Sequence, residues 1–383
     1  MRLAIVASHP VQYYAPLYRE LARHLDMTVF YAHRDTAADQ ARAGFGQGFA
    51  WDVDLTSGYR HQFLTNVAPQ PALGNFAGVD TPGIGAALRN GSFDAVLIMG
   101  WYLKAFIQAL WAARRAGIRV LVRGDSHLAT PRSWAKRIGK ELFYPMFLRQ
   151  FDAALVVGHR NRNYWEHYRY PAHRMFQSPH CVDTAWFASL ATVTARAEIR
   201  SRIGVVPDTP IALFAGKLVG FKRPVDLLFA AARVRAGGIP LEVLVAGSGP
   251  LEADLRMQAK ALDVPVHFLG FCNQTAMPGV YAAADVLVLP SDGRETWGLV
   301  VNEAMASGSM VIVSNAAGCA PDIADHLGEC SVFPVGDIET LASRLSQSFR
   351  YPTSANVISA AVSAFSINSA ARGILQAIRT TTS

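Results

Sequence analysis

Short apolar, β-branched runs recur along the whole chain and alternate with stretches of helical periodicity. "LAIVAS" leads into "APLYRELARHL" and then "MTVFYA". Further on come "FDAVLIM", the helical "KAFIQALWAARRAG" closed by Gly117, "IRVLVRG" and "FDAALVVG". Unbroken runs of this length belong to parallel strands covered on both faces, and the helical patterns between them supply right-handed crossovers. The series pauses between "SPHCVDTAWFASL" and "IGVVPDTP", where Pro207 and Pro210 punctuate the chain. It resumes with "IALFAG", "PLEVLVAGSGP", "VHFLG", "ADVLVLP" and "SMVIVS". The expectation is an α/β fold of two doubly wound, Rossmann-like domains with parallel sheets, residues 1–184 and 185–365. A C-terminal helix at about 366–383 is expected to pack back onto the first domain. A ligand is expected in the cleft faced by the carboxyl ends of both sets of strands.

At 383 residues the chain is too long for one core and suits two domains. The net charge of +7 favours an anionic partner: a nucleotide, a nucleic acid or an acidic membrane surface. No nucleic-acid module accompanies the charge, so no nucleic-acid partner is expected. Cys181, Cys272, Cys319 and Cys330 are widely spaced, with no CxxC pair, and read as reduced thiols rather than a zinc site. The apolar run in "MRLAIVASHP" is shorter than a signal-peptide core, and no window approaches the roughly 20 apolar residues of a membrane-spanning helix. A cytoplasmic location is therefore expected, with peripheral contact at the inner face of the membrane as one option.

The second series carries chemistry at its strand ends. "IALFAG" runs into "KLVGFKRPVDLLFAA", where Lys217 and Lys222 flank a loop that opens a helix with Pro224 in its first turn. Two ammonium groups at a helix start suit a diphosphate and the negative charge that develops on it as it departs. "SDGRETWGLVVNEAMASGSMVIVS" places Glu295 in the loop after a strand and Glu303 inside a short helix ending at Gly308. A carboxylate at 303 suits the vicinal diol of a ribose, and one at 295 a sugar hydroxyl. The competing reading is a capping glutamate plus an ordinary helix-face glutamate. Gly247 and Gly249 in "VAGSGP" read as a tight turn or a close backbone approach.

Together, "FAGKLVGFKRPVDLL", "VLVAGSGPLE", "LGF" and above all "SDGRETWGLVVNEAMASGSMVIVS" resemble the C-terminal half of the GT4 family of retaining glycosyltransferases, which has the GT-B fold and an E-x7-E motif. "PHCVDTAWF" resembles that family's approach to its domain linker, so the resemblance spans about residues 179–335. It implies that Glu303 holds the nucleotide ribose, Glu295 the donor sugar, and Lys217 and Lys222 the diphosphate. The backbone near Gly270 and Phe271 would meet the base, and the amides of Thr296, Trp297, Gly298 and Leu299 would line the donor site. The family often has arginine where Lys217 stands; lysine keeps the charge and loses the bidentate fork.

The first domain resembles the family less closely. "SHPVQYYAPLYREL" follows the first strand where many members have a glycine pair, so His9, Gln12 and Tyr13 would face the acceptor or the donor phosphates. "VLVRGDSHLAT" brings Arg123, Asp125 and His127 to another strand end; the family commonly has a sugar-contacting histidine there, a role that falls to His127 or, by a shift of register, to Asp125. A capping or solvated loop histidine is the alternative for His127. "WDVDL" offers Asp52 and Asp54 as metal ligands or as exposed edge aspartates of a strand, and the second reading is preferred; no metal and no cofactor is expected. "GFGQGF", residues 44–49, reads as a loop over the acceptor site. "PRSWAKRIGKELFYPMFLRQF" is basic and aromatic. It would either pack on the first domain or lie on an anionic membrane with Trp134, Ile138, Phe143 and Phe147 inward.

The expected activity is transfer of a sugar, with retention, from a nucleotide-diphosphate sugar to the hydroxyl of a glycan or lipid-linked acceptor, in surface polysaccharide or glycolipid synthesis. The alternatives are a GT-B sugar-nucleotide epimerase and a two-domain sugar-binding protein without chemistry.

Overall fold

The computed structural model describes residues 1–34, 36 and 48–382, and these form two compact units. The first contains the N-terminal strands, Asp54–His180 and the C-terminal helix Ile367–Thr382. The second contains Cys181–Ser366 together with residues 48–53.

Seven parallel strands build the first unit: β1 (Arg2–Ala7), β2 (Asp26–Tyr31), β3 (Arg60–Phe63), β4 (Ala95–Ile98), β5 (Arg119–Arg123), β6 (Ala153–Val156) and β7 (Met175–Gln177). Their order is β3-β2-β1-β4-β5-β6-β7. β4 and β6 are buried at every position, which is why "AVLI" and "AALV" carry no polar alternation. β3, "RHQF", is largely exposed at the sheet edge and is polar enough to escape detection from sequence. "WDVDL" is loop rather than strand. Asp54 accepts the amides of Thr56 and Ser57 at 2.9 and 3.0 Å and closes a turn.

In the second unit, β8 (Ile211–Ala215), β9 (Glu242–Ala246), β10 (Val266–Gly270), β11 (Val286–Leu289), β12 (Met310–Ser314) and β13 (Val332–Phe333) are again parallel, in the order β10-β9-β8-β11-β12-β13. Successive side chains of β8 feed opposite cores. Ala212 and Phe214 pack with Leu227 and Val234 of the helix Pro224–Ala236, while Ile211 and Leu213 pack with Val280, Val301 and Met305. Each such large side chain contributes about 1.5–3 kcal/mol through burial. In both units the strand order reverses beside the first strand, at β1/β4 and at β8/β11, and the carboxyl ends at such a reversal are where doubly wound sheets offer a crevice to a ligand.

The helix Trp134–Leu148 turns Phe147 and Leu148 into the first unit's core and leaves Trp134, Ile138, Leu142, Phe143 and Met146 exposed. Phe147 therefore does not belong to the apolar surface expected from sequence; Leu142 and Met146 take its place.

The helix Ile367–Thr382 packs on β6, β7 and the helix Ala15–Ala22. Ser178 Oγ donates to the carbonyl of Ala370 at 3.0 Å, and a Cβ added at Gly373 would lie 1.8 Å from the carbonyl oxygen of Gln177. Only a residue without a side chain permits this approach. Gly373→Ala should lower unfolding stability by about 1–3 kcal/mol, measured by urea denaturation, because the helix must retreat from its seat.

Candidate active site

The crevice at the β8/β11 reversal gathers the charged side chains. Gly216, at φ +143°, turns the chain out of β8 and into Lys217. The loop then makes a single helical turn, Gly220–Lys222, before Pro224 opens the helix Pro224–Ala236. From the far side of the crevice, the loop after β11 returns with Ser291, Asp292 and Glu295. The Asp292 amide donates to the Phe221 carbonyl at 2.8 Å and locks the two loops together. Lys222 Nζ forms a largely buried ion pair with Glu295 Oε2, which also accepts from Ser291 Oγ at 3.1 Å. Burial and the neighbouring Lys222 pull the Lys217 ammonium below its usual pKa, against the opposing pull of Glu295. The structure thus brings Lys217, Lys222 and Glu295 into one electrostatic group.

Glu303 projects from the helix Val300–Ala306 into an almost dry environment. Its Oε2 accepts from the Tyr281 hydroxyl at 2.6 Å, and Gln274 Nε2 lies 3.5 Å from its Oε1. Burial raises the carboxyl from 4.5 to about 7, with the two hydrogen bonds opposing the shift. Tyr281 and Gln274 were not singled out from sequence. Tyr281 sits in "VYAAAD", where an aromatic residue reads as core, and only its hydroxyl, aimed at a buried acid, reveals a second role.

Thr296, Trp297, Gly298 and Leu299 join the two glutamates. Their backbone is held by the amides of Gly318 and Cys319, which donate to the carbonyls of Glu295 at 3.0 Å and Trp297 at 3.2 Å. The Trp297 side chain is a core element whose indole donates to Asn302 Oδ1 at 3.2 Å. Gly247 adopts φ +148°, and a Cβ there would lie 1.8 Å from the Gly216 carbonyl oxygen, so "VAGSGP" is a close approach of backbone to backbone. Gly270, at φ +70°, ends β10, and Phe271 follows it.

In the first unit, His9, Gln12 and Tyr13 follow β1, and Asp125 and His127 follow β5. Ser8 Oγ and His9 Nδ1 are 3.0 Å apart, and Gln12 is half-buried. The Tyr13 phenol is raised well above its ordinary value, by burial first and then by Tyr14, Asp125 and Tyr102, which places these groups together. His127 is buried, so the solvated-loop alternative does not apply; its carbonyl accepts from Arg132 at 3.3 Å. Arg123 is buried, and it donates to the carbonyls of Ser178 and Pro179 at 3.3 and 2.8 Å and to the Tyr14 hydroxyl at 3.2 Å.

Of "GFGQGF", residues 44–47 lie outside the described residues. Gly48 and Phe49 belong to the second unit, where Phe49 packs on Phe271 at 4.3 Å between ring centroids. The contact seats Phe49 against the loop that follows β10, because an aromatic side chain gains more from a ring partner than from solvent.

HepE from Anabaena, in complex with UDP and glucose, superposes with a TM-score of 0.71 at 15% identity over 99% of this chain and 100% of that one. The two parallel, doubly wound sheets give the chain the GT-B fold. Residues 195–362 match the family described as glycosyl transferases group 1. A GDP-mannose-dependent alpha-(1-6)-phosphatidylinositol dimannoside mannosyltransferase of Mycobacterium tuberculosis is 31% identical over 126 residues, 33% of this chain and 32% of that protein. A D-inositol 3-phosphate glycosyltransferase of Saccharomonospora viridis is 34% identical over 166 residues, 40% of this chain and 38% of that protein. The chain thus spans about a third of the length of these curated relatives.

The burial of Glu303 has a measurable consequence. Its folded pKa of about 7 lies above the unfolded value of 4.5. The folded state therefore holds the proton more tightly, and the associated stability is present below pH 4.5 and lost as pH rises through 7. Between pH 4.5 and 8 this group alone should lower the unfolding free energy by about 3 kcal/mol. Glu303→Gln should remove that component, as read from urea denaturation at both pH values.

Proposed function

We propose that this protein is a retaining glycosyltransferase that moves a sugar from a nucleotide-diphosphate sugar to an acceptor hydroxyl. The observation that carries this reading is the gathering of Lys217, Lys222 and Glu295 at the β8/β11 reversal, inside a segment that matches a glycosyl transferase family. Lys217 and Lys222 hold the diphosphate and stabilise its charge as the glycosidic bond breaks. Glu303, oriented by Tyr281 and Gln274, accepts the ribose hydroxyls, and Glu295 accepts from the donor sugar. Donor binding then competes with the ion pair: the diphosphate replaces Glu295 as the partner of Lys222 and releases the carboxylate toward the sugar. Gly270 and Phe271 border the base, and the backbone of Thr296–Leu299 lines the donor site.

The lysines meet the diphosphate charge in this reading, so no metal ion is assigned. Retention follows from the family resemblance, with the leaving phosphate taking the acceptor proton. In the first unit, His9, Gln12 and Tyr13 serve the acceptor, and His127, with Asp125 near Tyr13, serves the reacting sugar. The relatives act on phosphatidylinositol mannosides and inositol phosphate by their names, which supports a lipid-linked or glycan acceptor and a role in glycolipid or surface-polysaccharide synthesis.

The helix Trp134–Leu148 supports a peripheral place on an anionic membrane. Trp134, Ile138, Leu142 and Met146 recur every four residues and are 76, 51, 77 and 71% exposed, an apolar ridge on the face opposite the core. Lys136, Arg137 and Arg149 are exposed around it and suit acidic headgroups. Lys140 instead donates to the Tyr164 hydroxyl at 3.2 Å, and burial followed by Arg132 pulls its ammonium down to about 8. Among the described residues no helix is long and apolar enough to cross a membrane.

Glu295→Ala and Glu303→Ala should each lower turnover by roughly two to three orders of magnitude, assayed as acceptor-dependent release of nucleoside diphosphate. Full activity in both variants would overturn the assignment, and conversion of the nucleotide sugar without any acceptor would identify an epimerase instead. Trp134→Ser with Leu142→Ser should abolish cosedimentation with phosphatidylglycerol vesicles while leaving the unfolding midpoint in place. Wild-type binding to neutral phosphatidylcholine vesicles with equal affinity would refute the anionic-surface reading.

A further inference from the structure

Residues 48–53 belong to the second unit although Asp54, next in sequence, belongs to the first. They are held against the loop that follows β10. Asn273 Nδ2 donates to the Ala50 carbonyl at 2.8 Å. The Thr275 amide donates to Asp52 Oδ1 at 3.1 Å, and its hydroxyl donates to Asp52 Oδ2. Phe49 packs on Phe271 at 4.3 Å with the rings inclined by 40°, and Trp51 stands edge-on to Phe49 at 5.0 Å. All three rings are half-buried, so each retains some solvent-exposed surface.

The position of this three-ring row matters more than its existence. Gln274, between Asn273 and Thr275, reaches Glu303, the residue assigned to the ribose. Phe271 precedes Gln274 by three residues, so on the donor reading a nucleobase attached to that ribose would have this loop within reach. Space is present there: a Cβ added at Gly270 would meet no atom within 4 Å, and φ +70° excludes most side chains from that position. A base needs a flat apolar surface on one side and room on the other. The rings supply the first and the glycine the second.

We propose that Phe49 and Trp51, with Phe271, form the aromatic wall against which the donor's nucleobase stacks, so that a segment distant in sequence from the donor-binding motifs sets affinity for the base. This rests on the donor reading given above. Asp52 acts as a positioning residue: its bonds to Thr275 hold the segment in register with the loop.

Titration calorimetry of the full chain with UDP, GDP, ADP and inorganic pyrophosphate tests the wall. The wild type should bind at least one nucleoside diphosphate more tightly than pyrophosphate. Phe49→Ala should weaken that nucleotide by about tenfold or more and leave pyrophosphate affinity unchanged, since the lysines read the diphosphate alone. Hydrogen exchange supplies a readout independent of mutation: amides 48–53 should be protected by the nucleotide and not by pyrophosphate. Equal nucleotide affinity in Phe49→Ala, or no nucleotide-dependent protection of 48–53, overturns the wall and leaves the donor assignment standing. Failure of the wild type to bind any nucleoside diphosphate overturns both.

Discussion

Parallel strand pairing is the constraint on which the rest of this structure depends. Every strand in both sheets runs the same way, so each must be re-entered from the same edge, and every βα loop leaves at the opposite one. Residues that are tens of positions apart in sequence are thereby delivered to a common rim. Lys217 and Lys222 arrive there after β8, Glu295 after β11, and Phe271 after β10. The reversal of strand order beside β8 sets the loops after β8 and β11 side by side at the switch point, where the Asp292 amide and the Lys222–Glu295 ion pair join them.

Lys222 at that rim is paired before any ligand arrives. The ion pair of Lys222 and Glu295 is largely buried, and a lone charge at either position would be costly to desolvate. Lys217 feels both members of the pair, and its ammonium is weakened by burial. Lys217 is the cation outside that pair, and under the proposed function it is positive charge that a diphosphate would meet. Glu303 is handled differently: no cation faces it among the described contacts, and its charge is moderated by a phenol, an amide and a raised pKa. One glutamate is paired with a cation and the other with neutral donors.

Most of the strands were legible because a strand buried on both faces leaves an unbroken apolar run, as in "AVLI" and "VLVL". β3 was not, since an edge strand needs no such run. The charged residues at the strand ends were legible by position: Lys217 directly follows the apolar "IALFAG", and Glu295 lies in the polar loop "SDGRET" that follows "ADVLVLP". Tyr281, Gln274 and Phe49 were invisible. A buried tyrosine, a loop glutamine and a loop phenylalanine are each ordinary in their own surroundings, and their significance lies only in what they touch. The exposed apolar ridge of the helix Trp134–Leu148 was half legible, for the basic aromatic segment stood out while the rotation of its helix did not. Phe147 turned inward because the first unit's core had a place for it.

Hydrophobic spacing alone determined two parallel α/β sheets and the loops that carry the charged groups, because the twofold coverage of each strand and the periodicity of each crossover are written in local order. What the tertiary structure decided was pairing: Lys222 with Glu295, Glu303 with Tyr281, and residues 48–53 with the loop after β10. Those pairings join segments separated by 22 to 223 positions. No local propensity specifies which distant partner a side chain meets once the chain is packed.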